Sequence, residues 1–191
     1  MMLPDEILDR LNYLQSEAKH CDPMTMTLAS VDERGRPTQR TITMIQIDPQ
    51  GLVFFTDSRS RKGQHFTDRP YASASSYWHD LHEQVEFEGN VEIIDSNQAD
   101  AHWGSRERDS QISAWASHQS QVLPSRQDLL DRVEAVKTQF RDCLIPRPPH
   151  WLCYRIVPDH VEFWKSGWQI LHERISFDLK GDVWSKTLLD P

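Results

Sequence analysis

The sequence predicts a mainly β, α+β fold, a closed or split antiparallel barrel with a few helices at its edge. Three observations predict it. Roughly six to eight segments carry the alternation or β-branched richness of strands, and they recur at about ten-residue spacing. Short turns rich in Asp, Gly and Pro separate them. Helical periodicity is confined to a few stretches, so the helices decorate the sheet rather than build the core.

Residues 5–19, DEILDRLNYLQSEAK, place Ile7, Leu8, Leu11 and Leu14 at helical spacing. They predict a helix within an N-terminal arm over residues 1–22. MTMTLASVD alternates as a strand does, DERGRP turns, and TQRTITMIQI is a second strand. DPQG turns again into LVFFT. The segment SRSRKGQHFTDRP reads as a short helix closed by proline, and YASASSYWH and EQVEFEGNVEIID are two further strands. A helix is expected over SNQADAHWGSRE. Another spans residues 125–141, where SRQD offers a capping-box-like start and Leu129, Leu130, Val133, Val136 and Phe140 form a stripe. After the connector IPRPPH come three strand segments: WLCYRIVP, HVEFWK, and ISFDLKGDVWSKTLL folding back at Gly181.

The 191 residues suit one domain over the whole chain. With 38% apolar and 26% charged residues the chain is able to build a core. A net charge of −8 argues against a polyanion such as nucleic acid as partner. No run approaches the about 20 apolar residues of a membrane-spanning helix. MMLPDEILDR lacks the apolar stretch of a secretory signal. Cys21, Cys143 and Cys153 are odd in number and lack paired spacing, which points to a reducing, cytoplasmic setting.

No glycine-rich nucleotide motif occurs, so any phosphate must be held by cationic side chains. Arg40 on a strand, and Arg59, Arg61 and Lys62 of SRSRK at a strand-to-helix junction, are the two places able to do so. Local sequence alone favours a solvated charge run there. His79 and His82 lack the glutamate and spacing of a zinc motif, and no metal site is expected. Ser110, Ser117 and Ser120 lack a nucleophile elbow. The tryptophans read individually as core or interface residues, although several near arginines are also able to wall a flat ring.

Taken together, MTLASVDERGRP, RTITMI, VFFTDSRSRKG, EQVEFEG, SRERDSQISAWASHQSQ, RPPHW with YRIVPDHVEFW, LHER and the terminal LLDP resemble the pyridoxamine 5′-phosphate oxidase family from about Met24 to Pro191. The resemblance implies an FMN-binding split β-barrel, a homodimer with FMN at the subunit interface, and oxidation of a small substrate. It carries the flavin role to the strand Arg40, Thr41, Ile42, Thr43, Met44 and Ile45, and to Phe55 and Thr56. Arg61 and Lys62 take the FMN phosphate grip, which overturns the solvated reading of SRSRK. Gln84, Gln119, Ser120, Trp164 and Arg174 complete the flavin set.

The substrate set departs from the family. Ile45 stands where the family usually has a lysine, His102 replaces a tyrosine, and Ile170 replaces the arginine of an Arg-Leu-His run. Arg106, Ser110 and His172 match the family pattern. The expectation is an FMN-dependent oxidase whose substrate chamber has lost positive charge, with His172 and Arg106 at the reacting end and oxygen as acceptor. Lys165 or Arg108 is an alternative source of the missing charge. A phenazine-biosynthesis-type flavin oxidase acting on another reduced heterocycle is the alternative enzyme. A non-catalytic binder of FMN or pyridoxal phosphate is the alternative of another class. Trp168 has no assigned role.

Overall fold

The computed structural model describes residues 2–18 and 24–191, with every side chain among them except that of Ile170. Cys21, and the residues of the predicted arm at positions 1 and 19–22, lie outside the described residues. The chain runs α1 (Asp5–Glu17), β1 (Thr25–Val31), β2 (Pro37–Thr43), β3 (Gln46–Asp48), β4 (Gly51–Asp57), α2 (Arg61–Asp68), β5 (Tyr71–Trp78) and β6 (Glu83–Ile93). Three helices follow, α3 (Ser96–Gly104), α4 (Arg108–Ala116) and α5 (Arg126–Gln139). The chain then returns to strands β7 (Trp151–Lys165), β8 (Glu173–Lys180) and β9 (Val183–Leu189).

All strand pairings are antiparallel, in the order β2-β1-β5-β6-β7-β4-β3, with the β8–β9 hairpin added outside β7. The predicted strand over residues 38–47 is divided in two, and the division curls the sheet. Thr43 still pairs with Thr25 of β1, while Gln46 pairs with Val53 of β4. Between them Met44 N–H donates to the Met24 carbonyl at 2.8 Å and Ile45 N–H to the Val53 carbonyl at 2.8 Å. The chain thus leaves one end of the sheet and joins the other.

Two cores lie on either side of β4. Leu52 and Phe54 point into the first, with Trp78, Phe87 and Ile156. Val53 and Phe55 point into the second, with Trp103, Ile112, Phe140 and Trp151 beneath the helices. Helix α1 belongs to the first core: Ile7, Leu11 and Leu14 are at most 2% exposed. Its helical register therefore buries one stripe in the barrel rather than leaving a free arm.

Two expectations change. The segments WLCYRIVP and HVEFWK form one strand, the 15-residue β7, which passes straight through Pro158. Pro158 has no N–H to donate, and it sits where the β6–β7 register slips between Glu88 and Gly89, so the ladder loses no bond it would otherwise have. A Cβ on Gly89 would lie 2.1 Å from the Val157 carbonyl oxygen, so only glycine lets the strands approach here. The second change is α4, which the sequence reading did not identify. Its buried residues include Gln111 and two alanines beside Ile112, too weak an apolar stripe to register as a helix.

Leu14→Ala is expected to destabilise the protein by about 2–5 kcal/mol, the cost of a large-to-small change in a packed core. Urea unfolding measures it, and an unchanged midpoint would mean α1 is not part of the barrel core.

Candidate functional site

Strand alternation sets the first group of side chains. On β2, Arg40 is half-buried while Thr41 and Thr43 are exposed on the opposite face. Arg40 donates from one guanidinium nitrogen to Ser30 Oγ at 2.8 Å and to the Leu28 carbonyl at 3.2 Å, and from the other to Thr38 Oγ1. Ser30 Oγ also meets His65 Nδ1 at 2.9 Å. Helix α2 begins at Ser60, whose hydroxyl accepts from Gly63 N–H, and its first two residues are Arg61 and Lys62. Lys62 Nζ donates to Gln119 Oε1 at 3.1 Å; Thr56 Oγ1 donates to the same oxygen at 3.0 Å. Arg61 N–H donates to Ser120 Oγ at 3.1 Å.

These cations are close enough to perturb one another. Burial, then the Arg40 charge, pushes Lys62 down to about 8, against the opposing pull of Asp57. Burial and the Arg61 charge also lower Arg40. His65 is lowered by burial and by the same two arginines. Among the described residues no carboxylate forms an ion pair with Arg40, Arg61 or Lys62. The nearby carboxylate, the fully buried Asp57, is taken by Arg59, which donates Nε at 3.1 Å, a terminal nitrogen at 2.8 Å and its backbone N–H at 2.7 Å. Three neighbouring cations, several hydroxyls and a helix N-terminus, with no carboxylate ion pair among the described residues, make a donor set that suits an anion.

A second cavity, of about 340 Å³, adjoins this grip through Gln119 and is lined by Arg106, Asp109, Ser110, Ser113, Ala114, Ser117 and Trp151. The Arg106 guanidinium lies 5.7 Å from the Phe55 ring centre, 5.7 Å from Trp151 and 6.0 Å from Trp103. Its Nε is buried without a partner, and burial lowers its basicity. Ile45 packs against the same core. His102 is half-buried on α3, where its carbonyl accepts from Ser105 Oγ, and it is not among the residues that line this cavity. The alternative cations are engaged elsewhere. Arg108 donates to the Phe140 and Cys143 carbonyls at the end of α5, and Lys165 pairs with the buried Glu83 at 3.0 Å.

The third group is a row across the sheet. Tyr77, Gln84, Trp164 and Arg174 are successive partners on β5, β6, β7 and β8. The His172 ring lies 4.7 Å from that of Trp164, and His172 Nδ1 accepts from Gly167 N–H at 3.4 Å, which leaves Nε2 as the protonated nitrogen of the neutral ring. A Cβ on Gly167 would lie 1.6 Å from the Leu171 carbonyl oxygen, so this tight turn requires glycine. Arg174 makes a two-pronged pair with Glu162 at 2.8 and 3.0 Å, which neutralises its charge. Trp168 is 80% exposed, and the side chain of Ile170 lies outside the described residues. No hydrogen bond or ring contact joins this row to the cation trio within the protomer, among the described residues.

The structure thus brings Arg40, Thr56, Arg61, Lys62, Gln119 and Ser120 together, gathers Phe55, Arg106 and Ser110 beside them, and sets Gln84, Trp164, His172 and Arg174 in a separate row. Ile42 is half-buried and packs against the first core, while Met44 is buried within it, so their side chains face that core. Ser30, Thr38, Tyr77 and Ser113 were not singled out from the sequence. Each enters through cross-strand pairing or helix phase, which no local motif announces.

A curled antiparallel half-barrel closed by the β3–β4 switch and covered by helices on one side defines the split-barrel class of folds. Residues 14–140 match the family model for pyridoxamine 5′-phosphate oxidase, and residues 151–191 match the pyridoxine 5′-phosphate oxidase C-terminal dimerisation region. The chain belongs to the pyridoxamine 5′-phosphate oxidase family. It is 40% identical over its full length to a pyridoxine/pyridoxamine 5′-phosphate oxidase of Myxococcus xanthus, covering 94% of that protein. It is 44% identical to another from Paraburkholderia phytofirmans over 84% of this chain and 75% of the relative. Among solved structures, PhzG from Burkholderia lata 383 in complex with tetrahydrophenazine-1-carboxylic acid superposes with a TM-score of 0.92 at 30% identity, covering 100% of this chain and 94% of that one. An FMN-binding protein of Nostoc punctiforme, at 19% identity and TM-score 0.76 over the whole of both chains, shares the fold.

Lys62 is charged in the folded protein only below about 8, well under its ordinary value. The unfolded chain therefore holds more protons between those two limits, and stability rises with pH across them. Anion binding runs the other way. Affinity for sulfate, whose charge is constant in this range, is expected to weaken as pH rises through about 8. Calorimetric titration measures it, and Lys62→Met should remove the break; a flat profile in the parent protein would contradict the assignment.

Proposed function

We propose that the protein is a cytoplasmic, FMN-dependent oxidase that takes two electrons from a small, planar, reduced heterocycle, with oxygen as the final acceptor. One observation carries the reading: the convergence of Arg40, Arg61 and Lys62 without a carboxylate partner. Its donor set suits a phosphate monoester, with guanidinium forks, an ammonium, hydroxyls and a helix N-terminus. In this reading Arg40, Arg61, Lys62, Gln119 and Ser120 hold the FMN phosphate. The strand from Thr41 to Ile45, with Phe55 and Thr56, flanks the cofactor. Gln84, Trp164 and Arg174 meet the flavin ring from the second protomer of a homodimer, which fits their separation from the trio within one chain. Bound FMN supplies the two-electron acceptor that side chains lack.

The protein's own part is orientation and exclusion of water. Arg106 and Ser110 face the substrate's polar end, and His172 presents its protonated Nε2 to the ring. The aromatic walls Phe55 and Trp151 and the aliphatic Ile45 make the chamber dry. Charge-assisted hydrogen bonds contribute about 1.5–3 kcal/mol each. Two isoleucines in place of cations therefore weaken a phosphate ester by roughly 3–6 kcal/mol, about 10²–10⁴-fold. The engagement of Arg108 and Lys165 elsewhere supports the view that the charge is not restored. Similarity to a structure that holds a carboxylated tetrahydrophenazine supports a less phosphate-like substrate. Oxidation of pyridoxine or pyridoxamine 5′-phosphate is the second reading, favoured by the names of the 40–44% identical relatives.

The purified protein is expected to be yellow, to release FMN on denaturation, and to yield more peroxide from reduced heterocycles than from pyridoxine 5′-phosphate. Ile45→Lys with Ile170→Arg should raise turnover of the phosphate ester by at least about tenfold, a fraction of the range above. A colourless protein that takes up no FMN would overturn the reading. Bound FMN without turnover would make the protein a carrier, and efficient parental oxidation of the phosphate ester would favour the second reading.

A further inference from the structure

His65 follows Arg61 by one helical turn on α2, so the two residues share a face of the helix. His65 is only 6% exposed, and its Nδ1 lies 2.9 Å from Oγ of Ser30, itself 2% exposed. Ser30 faces Thr38 across the β1–β2 ladder, and Leu28 faces Arg40, so strand alternation sets these four residues on one side of the sheet.

The direction of each hydrogen bond here follows from what the groups are able to donate. A guanidinium only donates. Arg40 Nη1 carries two hydrogens and directs one at Ser30 Oγ, 2.8 Å away, and one at the Leu28 carbonyl, 3.2 Å away. Nη2 directs a third at Thr38 Oγ1. Nε–H and the second hydrogen of Nη2 are left for an anion. Ser30 Oγ therefore accepts from Arg40, and its own hydrogen needs an acceptor. Among the described residues its other partner is His65 Nδ1. That nitrogen accepts only when it carries no proton, so the arrangement selects the neutral ring with its hydrogen on Nε2. With Nδ1 protonated, two donors would aim at one buried oxygen and the Ser30 hydrogen would go without a partner, which is unfavourable. The surroundings also oppose a charge on the ring: burial first, then Arg40 of β2 and Arg61 of α2, against the pull of Asp32 and Asp68.

We propose that His65 is a positioning residue for the anion grip: its unprotonated Nδ1 fixes the Ser30 hydroxyl, and through it the direction in which Arg40 offers its remaining N–H groups to a phosphate monoester. The inference rests on the oxidase reading for the identity of that phosphate. It goes further in assigning a residue that acts only through another side chain.

Long-range ¹H–¹⁵N NMR of the full chain reads the tautomer. Near neutrality the His65 ring is expected to be uncharged with its hydrogen on Nε2, and a proton on Nδ1 would overturn the proposal. Affinity for FMN, titrated into protein stripped of cofactor and read by quenching of flavin fluorescence, gives the second arm. His65→Leu and Ser30→Ala are each expected to weaken FMN by about tenfold, the scale of one hydrogen bond to a charged group. The double variant should stay within about twofold of either single one, because both break the same chain of contacts. In an Arg40→Met background, His65→Leu should change the affinity by less than about twofold. His65→Asn, whose Oδ1 takes the place of Nδ1, should recover affinity to within about threefold of the parent. A role in packing alone gives the same loss in every background and no rescue by asparagine, and either result would overturn the proposal. Should His65→Leu fail to fold, the smaller change Ser30→Ala and the His65→Asn rescue still decide it. A parent protein that takes up no FMN would sink the oxidase reading instead, and sulfate affinities of the same variants would then decide this one. Binding of neither FMN nor sulfate would overturn both.

Discussion

Strand β4 has no solvent face, and the rest of the molecule is arranged around that constraint. All seven of its residues are buried. Leu52 and Phe54 fill the barrel, while Val53 and Phe55 fill the space under the helices. A strand buried on both sides must be apolar throughout, and LVFF is. Where the strand ends, Thr56 and Asp57 are still buried but polar, and each has a partner: Thr56 donates to Gln119, and Asp57 accepts from Arg59. The same strand thus sets the depth of the barrel, the ring of Phe55 beside Arg106 and the position of the α2 N-terminus. The switch of pairing at Met44–Ile45 depends on it too, because Val53 supplies the carbonyl that receives Ile45.

Electrostatics sets a cluster of unpaired cations against several balanced pairs. Buried Glu83 holds Arg10 and Lys165; Glu162 holds Arg174; Asp48 holds Arg155 at 3.1 Å; Asp32 holds Arg36 at 2.7 Å. Against that background the unpaired trio of Arg40, Arg61 and Lys62 stands out. Burying these cations beside one another has a cost, visible in the basicity of Lys62 and Arg40, which desolvation lowers first and the neighbouring arginine second. An anionic ligand offsets that cost, which is why such clusters mark binding sites more often than structural ones.

Much of the architecture was legible in the chain. Alternation and turn residues outlined the strands, and Ser125 and the stripe behind it outlined α5. The basic residues Arg61 and Lys62 were visible but ambiguous until the family resemblance grouped them with Arg40, because a charge run looks the same whether solvated or converging. What stayed hidden has a common cause. Pro158 reads as a break, and only pairing with β6 shows that it sits in a bulge. Helix α4 buries Gln111 and two alanines beside Ile112, so its apolar periodicity is faint. The commitments of Arg108 and Lys165 arise from residues far away in the chain, at α5 and Glu83, and no local pattern encodes them.

The docking of α1 has a consequence for how the barrel closes. Met2 offers its carbonyl to the Trp184 indole at 3.1 Å, and Glu6 pairs with Lys186, so the segment around the first helix is fastened to β9. Contacts of such long sequence separation carry a large loop-closure entropy, and they form late, after the more local hairpins have made most of the seat that α1 occupies. Helix α1 and strand β9 then make a seam that secures the finished barrel.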